Sequence, residues 1–272
     1  MKINLLKSGY VVAIFIIVLT LLGCGQKSDK QVATSTESNG NKEMQLVNDG
    51  KLTFAMSGLL KPLNYKENNK LVGFDVEIGE EIAKRIGLEA NPVTNPWETI
   101  IQGLKGHKYD AIIGSMTATE ERAKQVDFSK PYYISGAQIF VGEDNTTIQV
   151  KDDLKDKKIG VMQASTYEED AKQYTSSIKL FSSDIYALQD IPTGRLDAVI
   201  TDRIVGLSIM NETGLKVKAV DDVIKREEIA VAVNKGNEKL LEAINQAIAD
   251  MVEDGTYEKI SMKWFNANLL EK

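Results

Sequence analysis

The sequence predicts an α/β protein built as two lobes of similar architecture, and three observations carry that expectation. Strand-like and helix-like stretches alternate along the chain, the pattern of parallel sheets with helices packed on both sides. Some 229 residues, from about Met44 to Lys272, have a globular composition and suffice for two lobes of ordinary size. A strand-entry pattern also occurs twice, as "GLKGHKYDAIIGSMT" (103–117) and "IPTGRLDAVITDRI" (191–204). Each copy has a helix end, a glycine turn, a basic residue and an apolar strand opening on Asp-Ala, at Asp110 and Asp197.

Taken in order, "KLTFAM" (51–56) reads as a strand. "GFDVEIGEEIAKRIGL" (73–88) sets Phe74, Ile78, Ile82 and Ile86 on one helical face, with Gly87 as its C-terminal cap. "PWETIIQGLKG" is a short helix leading into the strand "YDAIIG". "KKIGVM" (157–162), "SIKLF" (177–181) and "RLDAVIT" (195–201) read as strands with helices between them. The closing helix, "KLLEAINQAIADMVEDGTY", places Leu240, Leu241, Ile244, Ile248, Met251 and Val252 on one face.

The chain opens differently. Residues 1–23 read as a signal peptide: Lys2 and Lys7 precede a 13-residue apolar run, "YVVAIFIIVLTLL", shorter than the roughly 20 residues of a permanent span. The "LLGC" that follows resembles a bacterial lipobox, which implies cleavage before Cys24 and a lipid on its sulfur. Cys24 is the only cysteine, so no internal disulfide is possible. Residues 24–45 have almost nothing to bury and read as a lipidated flexible tether. Without residues 1–23 the chain carries 31 basic and 39 acidic side chains, a net of −8, and no basic patch interleaved with aromatics. Nucleic acid is therefore a poor partner. The single histidine, His107, excludes a Ser-His-Asp set at a strand end, and no metal-ligand cluster or cofactor motif is legible.

In open α/β sheets ligands bind at the carboxyl ends of strands. Those ends are 115–119 in one lobe, and 163–166 with Thr201 and Asp202 in the other. A cationic Arg122 would then oppose an anionic Asp202 across a cleft of small hydroxyl residues, an arrangement suited to a zwitterion.

From Lys51 onward the chain resembles the extracytoplasmic solute-binding proteins of polar amino acid ABC importers, solute-binding family 3. The landmarks are "LVGFDVEIGEEIAKRIG", "KYDAIIGSMTATEERAKQVDFSKPYY", "LKDKKIGVMQASTYEE", "GRLDAVITD" and "DGTYEKISMKWF", in the family's order. The resemblance implies a two-lobed periplasmic-binding-protein fold of type II, the Venus flytrap, joined by a two-strand hinge. Lobe one would hold 46–134 and 228–272, lobe two 138–224, and the hinge would lie near 134–137 and 223–228. It implies that Arg122 binds an α-carboxylate, helped by backbone and hydroxyl groups of Ser115 and Thr117 and by N–H groups of Ser165 and Thr166. It implies that Asp202 accepts the α-ammonium, in addition to capping the helix after it. Trp97 would wall the side-chain pocket with Ser57 and Leu60. Here the chain departs from the family: Leu60 and Leu63 stand where many members carry aromatics, and Ser57 where binders of basic amino acids are often acidic. That favours a neutral polar or sulfur-containing ligand, cystine among them. The resemblance further implies a lipid-anchored monomer on the extracytoplasmic face that delivers its ligand to a permease. An enzyme on the same scaffold, of dehydratase type, and a surface adhesin or sensor without transport are the rival readings.

Overall fold

The computed structural model describes residues 44–270. The expected signal peptide, Cys24 and all of the tether except Met44 and Gln45 lie outside the described residues.

Strand β1 (Lys51–Met56) leads into a small antiparallel sheet of β2 (Leu59–Leu60), β3 (Asn64–Glu67) and β4 (Lys70–Val72). Helix α1 (Phe74–Arg85) buries Phe74, Ile78 and Ile82 completely, as their spacing predicts, and ends at Ile86 with Gly87 in the left-handed region. Next come β5 (Glu89–Thr94), a 3-10 turn at Trp97–Thr99, α2 (Ile100–Lys105), β6 (Ala111–Ile112) and α3 (Glu120–Ala123). The long strand β7 (Val126–Gly142) then carries the chain into lobe two. There it forms β8 (Ile159–Met162), α4 (Thr166–Lys172), β9 (Ile178–Phe181), α5 (Asp184–Asp190), β10 (Ala198–Asp202) and α6 (Arg203–Thr213). Strand β11 (Val217–Asn234) returns to lobe one, which α7 (Glu238–Glu253) and α8 (Thr256–Phe265) complete.

The strand order β5-β1-β6-β11-β7-β10-β8-β9 is continuous because β7 and β11 run through both lobes. β1 is parallel to β5 and β6, and β8 is parallel to β9 and β10, so each lobe has a parallel half-sheet. Between them β7 and β11 pair antiparallel, with Ile134 opposite Glu228, Gly136 opposite Arg226 and Ala137 opposite Lys225. A Cβ on Gly136 would sit 2.6 Å from the Lys225 carbonyl oxygen, so this close crossing requires glycine. The Ile134 amide also donates to the Leu269 carbonyl at 3.0 Å, which ties the C-terminal segment to the crossing.

The repeated Asp-Ala pattern performs the same task in both lobes. The Asp110 carboxylate accepts from the Thr53 amide at 2.7 Å, while its own amide donates to the Thr53 carbonyl at 2.8 Å. Asp197 and Lys158 make the matching pair, at 2.8 and 2.9 Å. Each aspartate thus registers its strand against the first strand of its half-sheet. One packing expectation fails. Val252 is exposed, because α7 turns it past the buried stripe of Leu240, Ile244, Ala247, Ile248 and Met251.

Candidate functional site

The strand ends of both lobes converge on one cavity, the concave setting in which small-molecule sites form. Ser57, Leu60, Trp97, Ser115, Thr117 and Arg122 reach it from lobe one, and Ser165, Thr166 and Asp202 from lobe two. All nine residues expected at the ligand site therefore line one space. Their environments differ from what sequence alone suggested.

Arg122 belongs to the short helix α3, whose cap Thr119 accepts from the Arg122 amide at 3.2 Å. Its side chain folds back over the strand end. Nη1 donates to the Thr117 carbonyl at 3.0 Å, and Nη2 reaches across the cleft to the Ala164 carbonyl at 3.3 Å. The guanidinium stands over the Trp97 ring at 5.6 Å, a cation–π arrangement. Desolvation draws its pKa below the usual arginine value, opposed by the nearby Glu227, but an arginine stays charged throughout the physiological range. Trp97 Nε1 donates to the same Ala164 carbonyl at 3.2 Å. Ala164 adopts φ of +59°, an unusual conformation for a residue with a side chain, and its carbonyl receives both bonds from lobe one.

Ser115 does not offer its donors to the cleft. Its hydroxyl donates to Asp75 at 2.7 Å and its amide to the Tyr132 hydroxyl at 3.0 Å. Asp75 is fully buried and also accepts from Tyr132 and from Asn64, at 2.7 and 2.6 Å. Burial outweighs these bonds and pushes its carboxyl up to about 6. Asn64 in turn accepts from the Ser57 hydroxyl and the Gly58 amide, so Ser57 is held by the same network. Asp75 is thus the buried anchor of the lobe-one wall.

In lobe two, Ser165 occupies the N-cap position of α4 without a side-chain cap bond, because its hydroxyl donates back to the Met162 carbonyl at 2.6 Å. Thr166 donates to Glu227 of the crossing strand β11 at 2.7 Å. Asp202 caps α6, with Oδ1 accepting from the Ile204 and Val205 amides at 2.8 and 3.2 Å. Burial raises the Asp202 carboxyl to about 7 in spite of those bonds.

Sequence reasoning missed Asp184, Tyr133, Tyr167 and Met162, which also line the cavity. Asp184 and Met162 stand at strand ends of lobe two, and the strand-end rule applied to β8 and β9 would have found them. Tyr133 lies inside a crossing strand, where no local signal separates lining from core.

A cavity enclosed by two α/β lobes that share two crossing strands defines a two-lobed ligand-binding protein of the periplasmic-binding type. The signature of the bacterial extracellular solute-binding proteins, family 3, matches residues 52–267, and the chain belongs to that family. It is 37% identical over 224 residues to the L-cystine-binding protein TcyJ of Escherichia coli K12, covering 81% of this chain and 84% of that one. It is 32% identical over 265 residues to the probable amino-acid-binding protein YxeM of Bacillus subtilis, covering 95% and 94%. Among solved structures, an ancestral arginine-binding protein bound to glutamine superposes with a TM-score of 0.76 at 40% identity, covering 81% of this chain and all of that one.

Proposed function

We propose that this protein captures one L-amino acid outside the cytoplasmic membrane and delivers it to the permease of an ABC importer. The observation that carries this reading is the approach of Arg122 and Asp202, from different lobes, to one enclosed cavity. The guanidinium fork suits a carboxylate, which it can bind through two parallel hydrogen bonds. Thr117, Ser165 and Thr166 surround the same end of the cavity, and Asp202 is the acceptor for the α-ammonium. Trp97, Leu60 and Ser57 form the side-chain wall. The names of the similar proteins support an amino acid as ligand, and TcyJ in particular supports the sulfur-containing amino acid cystine.

The lobes would close on the ligand about β7 and β11. A ligand can drive closure only by binding the closed form better. Hydrogen bonds to charged groups contribute about 1.5–3 kcal/mol each. Two or three of them supply about 3–9 kcal/mol before ordering costs, so apolar contact with the side-chain wall must supply the rest of the roughly −8 kcal/mol of a micromolar site. In this reading Cys24 carries the lipid that holds the protein, as a monomer, on the extracytoplasmic face, and the site binds without catalysing. Titration calorimetry against the amino acids and cystine, repeated with Arg122→Ala, tests the proposal. Binding of one amino acid that the substitution abolishes is the expected result, and unchanged affinity would sink it.

A further inference from the structure

The amino acid site contains a second carboxylate that the zwitterion reading does not use. Asp184 opens α5 at the end of β9, is 2% exposed, and lines the same cavity as Asp202. Its described side-chain partner is the Thr201 hydroxyl, which donates to Oδ1 at 2.6 Å. Among the described residues neither Asp184 nor Asp202 has a cation within ion-pair distance, and the carboxylates acting on Arg122 are Glu227 and Glu121. A buried carboxylate held only by one hydroxyl and its own amide is costly, and a cationic partner offsets that cost.

The position of Asp184 indicates where that partner would come from. The preceding residue, Ser183, donates across the cleft to the Leu59 carbonyl at 3.5 Å, so this part of lobe two faces β2. The Arg122 end is closed instead by the Ala164 carbonyl. A second polar group in the same cavity points to a ligand: among the described residues the buried Tyr133 hydroxyl, beside Asp202, has no hydrogen-bond partner within bonding geometry. Ser57 leaves this wall of lobe one without an acid for a cationic group at the ligand's far end, but the fold supplies one from the opposite lobe.

We propose that Asp184 is a specificity-determining residue that accepts N–H donors from a second cationic nitrogen on the ligand, distal to the α-carboxylate. This rests on the amino acid reading and narrows it. The second nitrogen has two possible sources: the far ammonium of a disulfide-linked bis-amino acid such as cystine, or a basic side chain such as that of arginine.

Matched ligand pairs test it by calorimetry on the purified protein and on Asp184→Asn. One pair is cystine and the mixed disulfide of cysteine with 3-mercaptopropionate, which lacks one amino group. The other is arginine and citrulline, which replaces the guanidinium with a neutral urea. The expected result is a preference of tenfold or more for the cationic member of one pair, reduced at least fivefold by Asp184→Asn; the pair that discriminates identifies the source. Should Asp184→Asn fail to fold, Thr201→Val, which removes the hydroxyl orienting the carboxylate, takes its place with the same expected loss. Equal affinity within both pairs, or full discrimination in the variant, overturns the role of Asp184 and leaves the amino acid reading standing. No binding of any of the four by the wild type overturns the role of Asp184, and the amino acid reading then stands or falls on the titration against all the amino acids.

Discussion

The Arg122 guanidinium donates to the carbonyl oxygen of Ala164, 42 residues away and in the opposite lobe, at 3.3 Å. The group assigned to the ligand carboxylate is therefore also a contact between the lobes. Arg122→Lys separates the two-pronged geometry from the charge, because an ammonium is a point charge without the fork. Loss of one charge-assisted bond, about 1.5–3 kcal/mol, predicts an affinity for the cognate amino acid lower by roughly tenfold to a hundredfold. Titration calorimetry reads this directly, and an affinity within twofold of wild type would count against bidentate recognition.

Trp97 shares the Ala164 carbonyl and supports the guanidinium from beneath. Trp97→Phe keeps a ring and removes the Nε1 donor. A neutral hydrogen bond contributes about 1 kcal/mol, so the closed form should lose stability by that order and ligand affinity should fall about fivefold. Trp97→Ala removes the ring face too and should cost more. Small-angle scattering with and without ligand reports closure, and equal behaviour of the two variants would assign the whole effect to the indole N–H.

Much of the fold was legible because the signals were local. The face of α1 and the Asp-Ala entries at Asp110 and Asp197 depend on neighbours a few residues apart, and the structure realises them as read. The two crossing strands were not legible as strands of 17 and 18 residues. They carry Pro131, Gly136 and runs of charge, and their environment changes from lobe to hinge to lobe, so no single period describes them. β5 was missed for a related reason: it contains Pro92 and sits at the sheet edge, where proline is tolerated. In the cleft the residue types were readable but their bonding was not. Ser115 reads as a donor for an anion, but Asp75, 40 residues earlier, takes its hydroxyl.

Asp75 gives the protein a predictable pH dependence. Its carboxyl titrates near 6 in the folded protein against a reference of 3.8. Between these values the folded form holds a proton that the unfolded form has lost. This contribution is full below about pH 4, falls as pH rises and is gone above about 6; a shift of this size corresponds to about 3 kcal/mol. Asp75→Asn removes the titration. Melting temperatures of wild type and variant measured from pH 4.5 to 8 should diverge in favour of wild type toward acid, and a gap independent of pH would refute the assignment.

Gly206 tests the packing that carries lobe two. It lies in α6 with its Cα against Phe140 of β7, and a Cβ there would meet the ring at 2.1 Å. The ring is fully buried, so it or the helix must shift to admit the methyl group. Gly206→Ala should therefore destabilise by about 1–3 kcal/mol despite alanine's better helix propensity. Denaturant unfolding measures it, and a stabilised variant would mean that α6 lies farther from the sheet.

Asp202 caps α6 and is the proposed acceptor of the ligand ammonium, two roles that one substitution can separate. Its Oδ1 caps α6 through two amides, and asparagine is an equally good cap. Burial raises the carboxyl to about 7, so ionisation opposes folding increasingly as pH rises from about 4 through 7. Asp202→Asn keeps the cap and removes that cost, and its stability relative to wild type should improve toward pH 8. Its amino acid affinity should nevertheless fall tenfold or more, because a neutral amide replaces the charged acceptor of the ammonium. A stable variant with reduced affinity assigns the carboxylate to the ligand. A stable variant with full affinity would leave Asp202 only its cap.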